Sequence, residues 1–354
     1  MLGLADDLTG ALEVGAKFAA CGIHTTVTAW CGQTEDSGHV RVIDTETRHL
    51  PRPDAAHRIT TVTAASGARL IYKKTDSTLR GNIGAELGAL LAAFPESPLI
   101  YAPAYPAMGR FVKGGHLYIH GAPAHETVFA NDTLNPVSDN DIARVLRSQT
   151  QAPVFSTRVA DLKKLEPGAI YLCDGESDSD IEASMRLLMG SDTRWLAAGP
   201  AAFAEAIARR LDLPRTGMLP WPPVGSCLVI NGSRHELSAR QVCHAKNLGW
   251  RVADANAIAG SEWVILDASG DAETMGEIVR DALSRLKLDA LCIFGGDTAY
   301  GILKAIGNPP LRPLGEIVPG VPLSRVTGRD LILITKAGGF GPVDVLPAIR
   351  RALP

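Results

Sequence analysis

The stretch ALCIFGGDTAYGILKAIG (290–307) reads as a buried strand, a glycine turn and a helix. ALCIF is a continuous apolar run, the pattern of a strand covered on both faces in a parallel sheet. Gly295, Gly296, Asp297 and Thr298 follow at the junction, and a helix candidate runs over 298–306. Two other stretches share this grammar. CLVINGS (227–233) puts Gly232 and Ser233 after an apolar strand, and LILITKAGGFG (331–341) puts Lys336, Gly338, Gly339 and Gly341 after another. Working outward, strand candidates lie at 24–30, 40–45, 69–75, 98–104, 169–174 and 262–268. Helix candidates lie at 9–21, 81–94, 139–150, 178–190, 200–212, 236–248 and 271–287. This alternation predicts an α/β fold with mainly parallel sheets flanked by helices.

The chain has 354 residues, enough for two domains of ~150 residues each. A proline-rich break, LPRTGMLPWPPVG (213–225), separates two periodic regions and reads as a stiff linker. The expected division is therefore 1–213, a linker at 214–225, and 226–354. A second irregular stretch, PAYPAMGRFVKGGHLYIHGAP (103–123), sits inside the first domain as a structured loop.

Charge and cysteine content exclude several classes. The 35 Lys+Arg against 38 Asp+Glu leave a net charge of −3, with no basic excess for a nucleic-acid backbone. Cys21, Cys31, Cys173, Cys227, Cys243 and Cys292 contain no CxxC pair, which fits reduced thiols rather than a zinc or disulfide framework. The amino terminus carries Asp6, Asp7 and Glu13 and lacks a signal-peptide pattern. No apolar run reaches the ~20 residues of a membrane span. A soluble, cytoplasmic protein is expected. The first strand is short because the chain starts just before Asp6, and an upstream start is expected to have been missed.

Chemistry-bearing residues gather at strand–helix junctions. Asp6 and Asp7 follow the first apolar residues, where a strand's carboxyl end faces a ligand crevice. The plain alternative is that Asp7 or Thr9 caps a helix. Lys73 to Asn82 (KKTDSTLRGN) pack mixed donors and acceptors at one junction. Lys74 and Arg80 could hold a carboxylate, and Asp76 and Ser77 could bond sugar hydroxyls; a helix cap with solvated charges is the bland reading. His116 follows Gly114 and Gly115, which permit close backbone approach. The three glycine turns of the second region, at Ser233, Gly295–Thr298 and Gly338–Gly339, expose N–H groups at strand ends and suggest one polyphosphate cradle. There is no GxxxxGK[ST], no GxGxxG after the first strand, no GxSxG elbow and no HExxH.

Together the motifs ADDLTGA (5–11), KTDSTLRGNIGAE (74–86), the 103–137 region, GGDTA (295–299) and TKAGGFG (335–341) make the chain resemble the four-carbon acid sugar kinases. The resemblance departs at NGSRHELSARQ (231–241), where Ser233 alone matches, and many members are longer. It implies an ATP- and Mg²⁺-dependent kinase with a sugar-acid domain followed by a nucleotide domain, and an active site in the cleft between them. The phosphoryl group would go to the 4-hydroxyl of D-threonate, D-erythronate or 3-oxo-tetronate. In this reading Ser233, Gly295, Gly296, Asp297, Thr298, Gly338 and Gly339 bind ATP. Arg80, with Lys74, meets the carboxylate. Asp6, Ser77 and His116 complete the acid site. Asp7, with Asp76 second, orients or deprotonates the hydroxyl, and the metal ligands are unassigned. Closure about the proline-rich hinge is expected, and a homodimer is left open. The rival readings are a sugar-acid sensor without turnover and an NAD(P)-dependent enzyme on a hydroxy acid.

Overall fold

Leu70–Lys74 (LIYKK) is buried at all five positions, although two of them are lysines. A parallel strand covered by helices on both faces demands this, and the lysines must then find partners inside. The computed structural model describes residues 1–354 except 31, 33–37, 65, 163, 191–192, 256, 259, 261 and 267–269, and the backbone alone at 157. Cys31 and the end of the 262–268 strand candidate lie outside the described residues.

In chain order the elements are β1 (Leu2–Ala5), α1 (Leu8–Ala20), β2 (Thr25–Ala29), β3 (Val40–Asp44), α2 (Arg52–Thr63), β4 (Leu70–Lys74), α3 (Ile83–Ala93) and β5 (Leu99–Tyr101). Next come β6 (Arg110–Lys113), β7 (His116–Ile119), β8 (Ala122–Pro123), α4 (Ile142–Arg147), β9 (Val154–Thr157), β10 (Ile170–Cys173), α5 (Asp178–Met189), β11 (Trp195–Gly199) and α6 (Ala201–Arg210). The remainder holds β12 (Cys227–Asn231), α7 (Glu236–Asn247), β13 (Arg251–Ala253), β14 (Trp263–Leu266), α8 (Ala272–Arg285) and β15 (Ala290–Phe294). It ends with α9 (Gly296–Ala305), β16 (Leu311–Val318), β17 (Val321–Val326), β18 (Ile332–Lys336) and α10 (Val345–Ala352). Among the described residues, no helix is long and apolar enough to cross a membrane.

Two compact units divide the chain: Met1–Val14 with Ile43–Asp212, and Gly15–Val42 with Leu213–Pro354. Gly15–Val42 groups with the second unit. There β2 pairs antiparallel with β16, Val27 opposite Leu311. The 213–225 stretch carries no helix or named strand. It is nonetheless tied down within this unit. Thr216 N–H donates to Gly22 O at 2.8 Å, and Arg215 Nη1 to Cys21 O at 2.9 Å.

The first unit centres on strands β1, β4, β11, β5, β10 and β9 in that order, with every pairing parallel. The chain leaving β3 flanks β1 on the other side, where Thr45 N–H donates to Ala5 O at 2.8 Å. Chain order therefore jumps across β1. In an open α/β sheet a crevice opens at such a reversal, beyond the carboxyl ends of the strands. Side chains alternate along β4. Lys73 Nζ meets Glu86 of α3 at 3.0 Å, and Lys74 Nζ faces Glu13 of α1 at 3.9 Å. The irregular 103–123 stretch is corrected: β6, β7 and β8 form a small antiparallel sheet. Its Gly114–Gly115 pair makes a tight turn that composition alone reads as loop.

In the second unit β13, β14, β12, β15 and β18 are parallel neighbours. Chain order reverses between β12 and β15. Beyond β18 the sheet turns antiparallel through β17 and β16. The sequence hides this hairpin because Pro313 and Gly315 interrupt β16 and force register shifts. Gly320, at φ +75°, supplies the left-handed turn position that closes it.

Candidate active site

Each unit carries its chemistry at its own sheet reversal. In the first unit β1 ends at Ala5, level with Lys74 of β4, so Asp6–Asp7 and Thr75–Asp76 leave the sheet side by side. Asp7 does cap α1: Gly10 N–H donates to its Oδ1 at 2.9 Å and Thr9 Oγ1 to its Oδ2 at 2.7 Å. It does more, because Oδ2 also accepts from Arg48 Nη1 at 2.6 Å. Arg48 Nε donates to Asp6 Oδ2 at 2.7 Å, and Nη2 lies 3.8 Å from Asp76 Oδ2. One half-buried guanidinium thus joins three carboxylates that follow two strands.

The sequence reading missed Arg48. Its signal was available: Arg48 follows the strand 40–44, whose end must lie at the same edge as the other junctions. Thr47 and Arg48 N–H both donate to Asp6 O, at 3.1 and 3.2 Å, which fixes the loop that carries it.

Asp76 and Arg80 form a forked pair. Arg80 Nη2 donates to Asp76 Oδ2 at 2.7 Å and Nε to Oδ1 at 3.2 Å, while Thr78 N–H donates to Oδ1 at 2.9 Å. Arg80 Nη1 reaches Asp132 Oδ2 at 3.1 Å, and its guanidinium lies 5.4 Å from the Phe129 ring centroid. The loop between them holds Leu79 at φ +71°, a left-handed position that a branched residue adopts at a cost of about 1–3 kcal/mol. Lys74 Nζ donates to Thr75 O at 3.0 Å, and Ser77 is buried nearby in the chain.

These pairings set the ionisation. Burial pushes the Asp76 carboxyl up, but Arg80 and Arg48 outweigh it and hold it well below the usual carboxylate range. Burial opposes ionisation of Asp7 too, and Arg48 and Lys74 keep it low. Asp44, at the end of β3, is pushed well up by burial and by Glu46. Asp6 Oδ1 is buried without a hydrogen-bond partner, so it suits a ligand hydroxyl.

His116 is placed apart. Its Nδ1 lies 2.9 Å from Gly114 O, and no described hydrogen bond or ion pair joins it to the Arg48 cluster. The Gly114 and Gly115 amides donate to Asp174, both at 2.8 Å, so the glycines serve that turn.

In the second unit the three glycine turns converge at the β12/β15 reversal. Gly295, at φ +109°, precedes α9. A Cβ there would lie 3.2 Å from Ser233 N. A Cβ on Gly338 would collide with Ser233 Oγ, and one on Gly232 with Thr298 Oγ1. Gly295 N–H donates to Lys336 O at 2.9 Å. Ser233, Gly295, Gly296, Thr298 and Gly338 therefore share one place, with bare main chain facing the N-terminus of α9. Gly339 lies against His235, and Asp297 sits in the first turn of α9. Such a surface suits phosphate oxygens. No group of three His, Cys, Asp or Glu side chains among the described residues is placed to hold a metal ion.

A family model described as a sugar-binding N-terminal domain matches residues 1–207, and one described as a nucleotide-binding C-terminal domain matches residues 266–346. The chain belongs to the four-carbon acid sugar kinase family. The D-threonate kinase of Salmonella typhimurium is 28% identical, over 98% of this chain and 96% of that one. Other relatives in the family, at 25–30% identity, are named D-threonate, 3-oxo-tetronate or D-erythronate kinase. A solved structure from Salmonella typhimurium LT2 shares the fold at TM-score 0.84 and 20% identity, covering 100% of this chain and 99% of that one. A solved Bordetella bronchiseptica structure matches at TM-score 0.52 and 26% identity, over 99% and 97%; it is a domain-swapped dimer with bound citrate.

Proposed function

We propose that this kinase transfers the γ-phosphoryl group of ATP to the 4-hydroxyl of a four-carbon acid sugar. D-threonate is the first candidate, because relatives at 28–30% identity carry that substrate in their names. The observation that carries the reading is the contrast between the two sheet reversals. One gathers Asp6, Asp7, Asp76, Arg48 and Arg80. The other presents glycine main chain and a helix N-terminus.

In this reading the acid's carboxylate binds Arg80 at the edge now held by Asp132, and its hydroxyls bond Asp6 Oδ1 and Ser77. The citrate in the Bordetella bronchiseptica relative supports a carboxylate ligand for this fold. Asp7 orients the attacking hydroxyl. With Arg48 and Lys74 beside it, its carboxylate is a weak base. That suffices, because phosphoryl transfer depends chiefly on positioning and charge neutralisation. Ser233, Gly295 to Thr298 and Gly338–Gly339 hold the ATP phosphates through N–H groups and hydroxyls. Mg²⁺ fits as an ion carried in on the phosphates, since it keeps several waters and needs few protein ligands. Bound there, it would neutralise charge on the transferring group.

An ADP-release assay over D-threonate, D-erythronate, 3-oxo-tetronate and 4-deoxythreonate tests this. Turnover is expected with at least one of the first three and none with the deoxy acid. Acid binding without ADP release from any of them would overturn the reading.

A further inference from the structure

Lys336 ends β18 fully buried, yet none of its partners is a carboxylate. Its Nζ donates to Ala337 O and Gly338 O, both at 2.9 Å, and to Ser238 Oγ at 3.2 Å. The Phe294 ring centroid lies 4.4 Å away. Ser238 Oγ also donates to Gly338 O at 2.9 Å. All three ammonium donors thus grip the glycine turn and its support on α7. The Lys336 carbonyl meanwhile takes the Gly295 N–H at 2.9 Å. A single residue therefore ties the 338 turn to the 295 turn.

A peptide unit whose carbonyl is held inward turns its neighbouring N–H groups outward. Three neutral acceptors satisfy an ammonium's donors but not its charge. A polyphosphate before the same turns would supply that counter-charge. The titratable groups around Lys336 do not. Cys292 on β15 is pushed up to about 12 by burial and stays neutral. Ser238 and Gln241 on α7 are uncharged. His235 caps α7 and faces Gly339, and Asp297 lies in the first turn of α9.

We propose that Lys336 is a positioning residue for nucleotide binding, its protonated side chain clamping the 337–338 carbonyls, and that bound nucleotide draws a proton onto it. The proposal rests on the nucleotide site assigned above. The direction of titration agrees. Burial is the main cause, only partly opposed by Cys292, and pulls the ammonium down to about 7. Nucleotide affinity is then full below that value and falls as pH rises through it, by about tenfold per pH unit for one linked proton.

Calorimetry of MgADP binding to the full chain, in buffers of different ionisation enthalpy at pH 8, measures the proton directly. The wild type should take up close to one proton more than Lys336→Arg, whose guanidinium stays charged; the nucleotide's own titration cancels between the two. His235→Asn should keep the wild-type uptake. Should Lys336→Arg fail to fold, the dissociation constant of the wild type from pH 6 to 9, with His235→Asn alongside, gives the same answer. Equal uptake in wild type and Lys336→Arg, or a slope that vanishes in His235→Asn, overturns the role of Lys336 alone. Absence of MgADP binding by the wild type at every pH overturns the nucleotide site as well.

Discussion

Nη1 of Arg48 lies 2.6 Å from Oδ2 of Asp7, and the same guanidinium reaches Asp6 through Nε. The two acids on β1's exit are thus held by a residue arriving from another strand. Burial alone would lower the Arg48 pKa, but Asp6, Asp7 and Asp76 raise it well above its ordinary value. Arg48→Lys keeps the charge and loses the fork, so kcat/KM should fall about ten- to a hundredfold, worth roughly 1.5–3 kcal/mol. Arg48→Met leaves three acids facing one another and should destabilise by about 3–5 kcal/mol. Steady-state kinetics and urea unfolding measure both. Full activity in Arg48→Lys would remove Arg48 from the site.

Asp132 occupies the edge of Arg80 that the substrate carboxylate needs. Asp132→Asn keeps the acceptor that caps Leu134 and Asn135 through Oδ1. It weakens the contact to Arg80 that now measures 3.1 Å. The KM for the acid should fall about three- to tenfold with the KM for ATP unchanged, because a charged competitor for the guanidinium is gone. A rise in KM for the acid instead would show that Asp132 binds substrate itself.

Gly338→Ala puts a methyl group into Ser233 Oγ and 2.9 Å from His235 Cβ. The turn must move, taking its N–H groups with it. The KM for ATP should rise about ten- to a hundredfold, the scale of one or two charge-assisted hydrogen bonds. Acid binding by the isolated variant, read by calorimetry, should not change. Parallel losses of both ligands would indicate unfolding rather than a lost cradle.

Much of this was legible in the sequence because buried parallel strands announce themselves as unbroken apolar runs. ALCIF, CLVIN and LILIT could be read without neighbours, and so could the glycines after them. The β16–β17 hairpin could not, since Pro313 and Gly315 break its pattern and its stability comes from β2 and β18 on either side. β1 carries only four residues. Arg48 was legible only through its place after the 40–44 strand. An isolated arginine in TETRHLP has no local signature, and its role exists only because β3 and β4 flank β1. His116 differs in the opposite sense: its flanking glycines read as ligand approach, and in the structure their amides donate to Asp174.

The acid limb of stability follows from Asp76. A carboxyl held below its unfolded value contributes stability that is present above the unfolded pKa, near ~3.9, and is lost as pH falls through the folded pKa. The Asp76 contribution, read as the difference in thermal stability between wild type and Asp76→Asn, should therefore stay constant from neutral pH down to about pH 4 and then drop steeply. Asp76→Asn should be less stable at pH 7 and show a shallower drop below pH 4. An identical slope in both proteins would place the acid sensitivity elsewhere.

Lys73 and Glu86 offer the cleanest separation of stability from catalysis. Both are buried, 3.0 Å apart, with Thr47 Oγ1 donating to Glu86 Oε1. Burial pushes the Glu86 carboxyl up, and Lys73 opposes this without cancelling it. Removing one partner strands the other, so Lys73→Met should cost about 3–5 kcal/mol. Lys73→Met with Glu86→Leu removes both charges, and should cost less than Lys73→Met alone. Thr47 keeps a partner in the double variant through Thr45 Oγ1 at 2.9 Å. Urea midpoints of the wild type, both single variants and the double give the coupling energy directly. A double variant whose loss equals the sum of the singles would mean that the pair does not interact, and that Lys73 is tolerated inside for some other reason.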